Sequence, residues 1–272
     1  MTSETISDAD LTASEKFKAL FGHIEPHTIW SFHFLGIDWN ITNHLLTMWG
    51  AAAFVLALFA IGYGKKFAAG DAPRGPLANF LESLVLFVRD QMVFDTMGKE
   101  NGRRFAPLFL TQFFFIWTMN LVGLLPIPHA GTATAKVAVT AGLATTTLVF
   151  MLALGMKGSG VIKFWTGLVP HGVPGFMWPL MFVVEVIGFF VKPFALTIRL
   201  FANMTGGHLV ILSLYGMIYM ASSMALRAGS LVAAFPMLIF VGVLELLVAF
   251  LQAFIFTFLS ILFIQASLHP EH

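Results

Sequence analysis

From Leu45 onward the chain is a series of long apolar runs separated by short polar or Gly/Pro-rich stretches. Leu45 to Gly64 is the first run, about 20 residues long, as a helix needs to cross a bilayer core of about 30 Å; Lys65-Lys66 closes it. Pro76 to Met97 has a different pattern. Glu82, Arg89, Asp90 and Asp95 recur there among leucines and phenylalanines, which predicts an amphipathic helix at the membrane interface rather than a crossing. Phe105 to Leu125, closed by Pro126 and Pro128, and Val137 to Met156, entered after Gly131 and Lys136, predict the second and third crossings. A Gly/Pro-punctuated loop then runs to Pro174. Ahead of these runs, residues 1–44 form a mixed polar tail with short apolar clusters, expected to be a loop or interfacial segment on the outer side.

Two further runs are too long for an upright crossing. Trp178 to Ala221 and Leu231 to Leu268, joined by Ser222 to Ser230, would extend roughly 66 and 57 Å as helices, about twice the hydrocarbon thickness. Either each breaks into two crossings, or each lies far beyond the usual tilt of about 20°. Asn203 with Gly206-Gly207 offers a break in the first, whereas the second offers only Pro236 near its start. A steeply tilted hairpin fits better. The expected fold is therefore an all-α integral membrane protein, with about five crossings (45–64, 105–125, 137–156, 178–221, 231–268) and one interfacial amphipathic helix, forming a single polytopic domain over residues 45–272.

Composition agrees with this class. A chain of 272 residues that is 58% hydrophobic and 11% charged has too little polar surface to enclose a soluble domain of its size. A net charge of +1 gives no reason to expect nucleic acid, and the absence of cysteine excludes disulfides, thiolate metal sites and cysteine nucleophiles. The acidic, polar start from Met1 to Asp10 lacks the pattern of a cleavable signal. Basic residues set the orientation. Lys65 to Arg104 holds seven Lys and Arg and the Lys157 to Lys163 loop two more, against Lys16, Lys18, Lys136 and Arg227 on the other side. The positive-inside rule then places the N-terminus outside and the C-terminus in the cytoplasm.

The two long segments carry the chemistry. Glu185, Lys192, Arg199, Asn203 and His208 stand on the first, and Glu245, Gln252 and Gln265 on the second. A permanent charge near the middle of a membrane helix costs about 2.5–3.5 kcal/mol on insertion scales, so Arg199 calls for a cavity or a partner anion. At 100° per residue, Glu185, Lys192, Arg199 and Asn203 fall within about 80° of one another, while His208 is turned about 180° from Arg199. In an antiparallel hairpin, residues at equal depth have position numbers with a constant sum. For a turn centred near Leu226 that sum is about 452, which sets Arg199 level with Gln252 and His208 level with Glu245.

His208 and Glu245 then form a pair able to exchange protons, and Arg199 is left without a carboxylate. Its counter-ion is expected from another chain. Plainer roles compete at the other positions: a His/Glu clasp between helices, a Glu185 that pairs with Lys192 or snorkels to the interface, and a Gln252 that only bridges helices. His23 and His27 have a metal-compatible spacing but no further clustered ligands, so no metal or other cofactor is expected.

The stretch Phe194-Ala195-Leu196-Thr197-Ile198-Arg199-Leu200-Phe201-Ala202-Asn203-Met204-Thr205-Gly206-Gly207-His208 resembles the signature of subunit a of F-type ATP synthases. Met119-Asn120-Leu121-Val122-Gly123-Leu124-Leu125-Pro126, the threonine-bearing entry to the third crossing, and Leu251-Gln252-Ala253-Phe254-Ile255-Phe256 agree with that family in order, so the resemblance covers most of the chain beyond Leu45. It implies a non-catalytic stator in a bacterial inner membrane, beside a rotating ring of c subunits that bear membrane carboxylates, with b-type peripheral stalk subunits and the rest of the complex as partners. The family's essential arginine maps to Arg199. Its outer half-channel maps to Asn120, Asn203, His208, Glu245 and Gln252, and its cytoplasmic half-channel acid to Glu185.

In some members an acid stands at the position of His208 and a histidine at that of Glu245; this chain has the exchanged arrangement. A sodium-translocating form of the same subunit is the nearest alternative. A secondary transporter would show two related halves, and no second copy of the Arg199 segment is present. An intramembrane hydrolase would need a nucleophile motif or His-Glu-x-x-His, and neither occurs.

Overall fold

The computed structural model describes residues 28–34, 37–68, 75–124, 134, 136–169, 172, 174–219 and 223–268. Most of the N-terminal tail, including His23 and His27, lies outside them. The part of the tail within them is a two-stranded antiparallel pair rather than a loop: β1 (Thr28–Phe34) and β2 (Ile37–Thr42), with Thr28 opposite Thr42 and Phe34 opposite Ile37. Apart from this pair the described elements are helical, and among the described residues five helical stretches are long and apolar enough to cross a membrane: Asn43–Ala60, Pro76–Leu124, Val137–Gly158, Trp178–Ile218 and Met224–Leu268.

Helix α1 (Asn43–Ala68) starts at an asparagine whose side-chain oxygen accepts from the His44 amide at 3.0 Å, satisfying a donor that the first turn leaves free. Its inner face buries Ala51 and Val55, while Leu56 points outward. Helix α2 (Pro76–Leu86) begins after Gly75, at φ 124°, with proline in its first turn, where no amide is missed. A π-helical segment (Phe87–Phe94) continues it into α3 (Asp95–Leu124). Gly98, at φ 73° and ψ 168°, breaks the helix there. The break turns the amphipathic segment back along α3: Phe94 packs over Gly102, where an added Cβ would lie 2.5 Å from its Cδ1, and Phe80 meets Trp117 at 6.4 Å between ring centroids.

The segment expected at the interface therefore lies antiparallel to α3. Its buried residues, Leu81, Val88, Met92 and Val93, face other helices. Leu77 and Phe80 of the same segment stay about half exposed, so other helices cover only part of its apolar surface, a division that the amphipathic pattern does not specify.

Helix α4 (Val137–Ser159) ends at Gly160, whose φ of 82° suits glycine, and the short α5 (Val161–Thr166) follows. The expected hairpin is formed by α6 (Trp178–Tyr219) and α7 (Met224–Leu268), of 42 and 45 residues. Neither is broken into two crossings. Pro193 and Pro236 are accommodated within them, and Thr197 Oγ1 donates to the Pro193 carbonyl at 3.1 Å. At about 1.5 Å per residue they extend roughly 63 and 68 Å. The connection is shorter than the expected Ser222 to Ser230. Ser223 caps α7, accepting from the Leu226 amide at its Oγ (3.2 Å) and from the Arg227 amide at its carbonyl (2.9 Å), so Arg227 and Gly229 lie in the first turns of the helix.

The core lies where α3, α4 and the second half of α7 meet. Phe109, Phe113, Phe114, Phe164 and Phe256 are almost fully buried there, with Phe113 edge-on to Phe114 at 5.3 Å and to Phe250 at 5.7 Å. A polar clasp crosses this core. Gln112 Nε2 donates to Thr147 Oγ1 at 3.2 Å and to Ser260 Oγ at 3.3 Å, and the two hydroxyls are 3.0 Å apart. These pairs, with Asn120 on Ala249, make α3 antiparallel to α7 and α4 parallel to it.

Candidate functional site

The register of the hairpin follows from two contacts. Gly207 faces Glu245, so that an added Cβ would lie 2.9 Å from the Glu245 carboxyl carbon, and Lys192 Nζ sits 5.7 Å from the centre of the Phe263 ring. The paired numbers add to 452 and 455, in agreement with the sum expected from sequence. From sequence Gly206-Gly207 offers a helix break; the helix instead continues, and Gly207 admits the Glu245 carboxylate. Only a residue without a side chain leaves room for a carboxylate between two packed helices at that level.

Three helices bring one polar group together around this glycine. His208 lies next to Gly207 and faces the backbone of Gly123 in α3 and of Met204 one turn earlier in α6. Asn120, one turn from Gly123, is fully buried and donates through Nδ2 to the Ala249 carbonyl at 3.2 Å. Ala249 is in turn one helical turn from Glu245, and the buried Gln252 follows three residues later. Asn120, His208 and Glu245 thus come together at the α3/α6/α7 junction, with the buried Gln252 two turns beyond Glu245 along α7.

The expected His208–Glu245 pair shares a level but not a hydrogen bond. Both Glu245 oxygens are buried without a hydrogen-bond partner among the described residues, as is Asn120 Oδ1. His208 is drawn instead toward α3. Buried polar oxygens left in this state are ordinarily satisfied by water or by protonation, so the junction is chemically suited to take up and hand on a proton.

Arg199 is not part of this cluster. It lies on an exposed face of α6 together with Ala195, Ala202 and Asn203, and no described carboxylate comes within ion-pairing distance. Asn203, expected with the outer group, therefore shares the arginine's face. Arg199 and Gln252 share a level but differ in environment, because Gln252 is buried while Arg199 is exposed. Glu185 is half-buried near the start of α6, roughly level with Ser267 at the far end of α7. The 14 residues separating it from Arg199 correspond to about 21 Å along the helix. The structure accordingly separates three sites: the junction, the exposed cation and the distal acid.

The family profile described as ATP synthase A chain matches residues 45–265. The chain belongs to the ATP synthase A chain family. Among similar proteins, ATP synthase subunit a of Myxococcus xanthus is 44% identical over 87% of this chain and 75% of its own length. That of Chloroherpeton thalassium is 44% identical over 87% and 69%. ATP synthase subunit a 2 of Chlorobaculum tepidum is 41% identical over 92% and 69%. As a subunit a family member the chain is a multi-pass membrane component of the F-type ATP synthase and serves ATP synthesis and ion transport. The matched region includes Asn120, Glu185, Arg199, Asn203, His208, Glu245 and Gln252, and leaves out residues 1–44.

Proposed function

We propose that this subunit is the proton-conducting, non-catalytic stator of the membrane sector, forming two offset aqueous half-channels against a rotating ring of c subunits. The observation that carries the reading is Arg199: a fixed cation in a long apolar helix, on a face that no other described element covers and with no carboxylate of its own. Such a charge is stable in a membrane only beside an anion or water, and a ring whose carboxylates pass in turn supplies the anion intermittently. An outer N-terminus and a cytoplasmic C-terminus fit the distribution of Lys and Arg, and the bacterial sources of the similar proteins support the bacterial inner membrane.

Protons enter at the α3/α6/α7 junction, where Asn120, His208, Glu245 and Gln252 hold water and exchange protons, and neutralise a ring carboxylate. The neutral carboxyl turns into lipid, because its transfer no longer carries a charge. After nearly a full turn it meets the aqueous path near Glu185 and releases its proton. Arg199, with Asn203 one turn away, stands between the two paths. Its charge favours the ionised carboxylate and repels an incoming proton, so protons cannot leak across without rotation. Each proton crossing 100 mV delivers about 2.3 kcal/mol, which reaches ATP synthesis only while that leak is closed. The peripheral stalk holds the subunit still against the ring.

The test uses vesicles containing the whole complex with Arg199→Ala. ATP-driven acidification is expected to be lost and passive proton flux to rise. Retained pumping would overturn the assignment, and pumping that depends on sodium would reassign the ion.

A further inference from the structure

A second site lies away from the hairpin, where Gly98 turns the amphipathic segment back on α3. The turn opens a cleft of about 660 Å³ lined by Arg89, Asp90, Asp95, Lys99 and Arg103, with Pro107 and Leu110 at its inner end. Those same two residues belong to a second cavity of about 450 Å³ between α1 and α3, where Val55, Leu56 and Phe59 face Phe115 and almost all the lining is apolar. The charged mouth and the apolar slot thus adjoin at Pro107 and Leu110 and make up one candidate groove along two membrane helices.

The charges in the mouth are not self-compensated. Arg89 and Asp90 hold each other through two contacts, Nε to Oδ1 at 2.7 Å and Nη2 to Oδ2 at 2.9 Å. Lys99 and Arg103, one turn apart and exposed, make no ion pair among the described residues. With Asp95 as the remaining acid, the mouth carries three cations and two anions, a net charge of +1.

We infer that this groove binds an anionic glycerophospholipid bearing headgroup hydroxyls, such as phosphatidylglycerol, with its phosphodiester on Lys99 and Arg103 and an acyl chain in the slot between α1 and α3. A singly charged phosphodiester balances the mouth, the spare acceptor on Asp95 suits a glycerol hydroxyl, and basic pockets between membrane helices are established headgroup sites. A zwitterionic lipid brings no net charge, and a free phosphate leaves the slot unfilled. The inference does not depend on how protons pass Arg199.

The test is photolabelling of the intact complex, reconstituted in phosphatidylcholine vesicles doped with photoactivatable phosphatidylglycerol. Label is expected on peptides covering 99–111 and 52–59, displaced by unlabelled phosphatidylglycerol. Lys99→Gln with Arg103→Gln is expected to lower the label at least about tenfold, as the loss of two basic contacts at a membrane surface implies. Lys99→Arg with Arg103→Lys should keep it, separating charge from folding. Equal labelling by phosphatidylethanolamine or phosphatidylcholine analogues, displacement by inorganic phosphate alone, or unchanged label in the glutamine pair would overturn the proposal. Labelling that occurs only after the peripheral stalk is stripped would overturn it too, making the groove a protein contact. If the glutamine pair does not assemble, the comparison of the three lipid probes on the unaltered complex decides.

Discussion

Residues 224–248 and 249–268 of α7 are both predominantly apolar, yet they are buried very differently. In the first stretch only Ala234 and Val241 are buried; in the second, nine residues are, among them Ala253, Phe256, Ser260 and Ile264. The second stretch lies between α3 and α4 and is held by aromatic packing and by the Gln112–Thr147–Ser260 clasp. The first leaves Val232, Phe240, Val243 and Leu247 more than half exposed. Lipid is as apolar as leucine, so a membrane helix gains little by burying an apolar side chain against protein; close packing and polar bonds decide where helices associate. The part of α7 that lacks a polar clasp to α4 thus stays open, whereas Arg199, level with Gln252, stands opposite the start of the covered stretch, on a side of α6 that is itself exposed.

Four experiments would break or sharpen this contrast. The largest effect on stability is expected from Phe256→Ala, which empties a site 2% exposed: up to about 3–5 kcal/mol, against within about 0.5 kcal/mol for Phe240→Ala, 58% exposed. Thermal unfolding of the full chain in lipid nanodiscs measures both, and equal losses would end the distinction between the two stretches. Gly207→Ala comes next. Its Cβ would crowd Glu245, costing about 1–3 kcal/mol of hairpin packing, and proton pumping in the whole complex should fall. Partial recovery with the shorter Glu245→Asp would locate the clash; no effect on pumping would separate Gly207 from the junction.

Exchanging His208 and Glu245 should harm pumping less than losing either alone, because both orders keep an acid and an imidazole at one level. An exchange as damaging as Glu245→Ala would show that the backbone of Gly123 requires the imidazole on α6. The smallest effect belongs to Gln112→Leu. It leaves the 3.0 Å Thr147–Ser260 pair intact and should cost about 0.6 kcal/mol, the average for interhelical bonds in a membrane, with pumping unchanged. A loss of pumping would extend the proton path into the bundle.

Much of the site could be read in advance because antiparallel geometry is arithmetic. The sum of about 452 anticipated the contact of Gly207 with Glu245, and the 100° rotation per residue anticipated that Arg199 and His208 point to opposite sides of α6. The same arithmetic was silent on direction across the hairpin. It set Gln252 level with Arg199 but could not tell that Gln252 is buried and Arg199 exposed, nor that His208 turns to Gly123 instead of bonding Glu245. Boundaries followed similar limits. The apolar runs marked the long helices, while the start of α7 at Met224 depended on Ser223 capping a segment that Arg227 and Gly229 made look like a loop.

Sequence features are enough for the class of protein, the overlong hairpin and the level of each polar residue within it, Arg199 included, which meets no carboxylate among the described residues. These depend on composition, length and helical period, which are local properties of the chain. Only the packed fold decides which side of an all-apolar helix is covered, that the amphipathic segment folds back on α3, and that Asn120 bonds the α7 backbone one turn from Glu245 while His208 turns to Gly123. In a membrane the apolar pattern does not distinguish a helix neighbour from lipid, so these choices are set by the few places where a glycine admits a carboxylate or a buried amide finds a carbonyl.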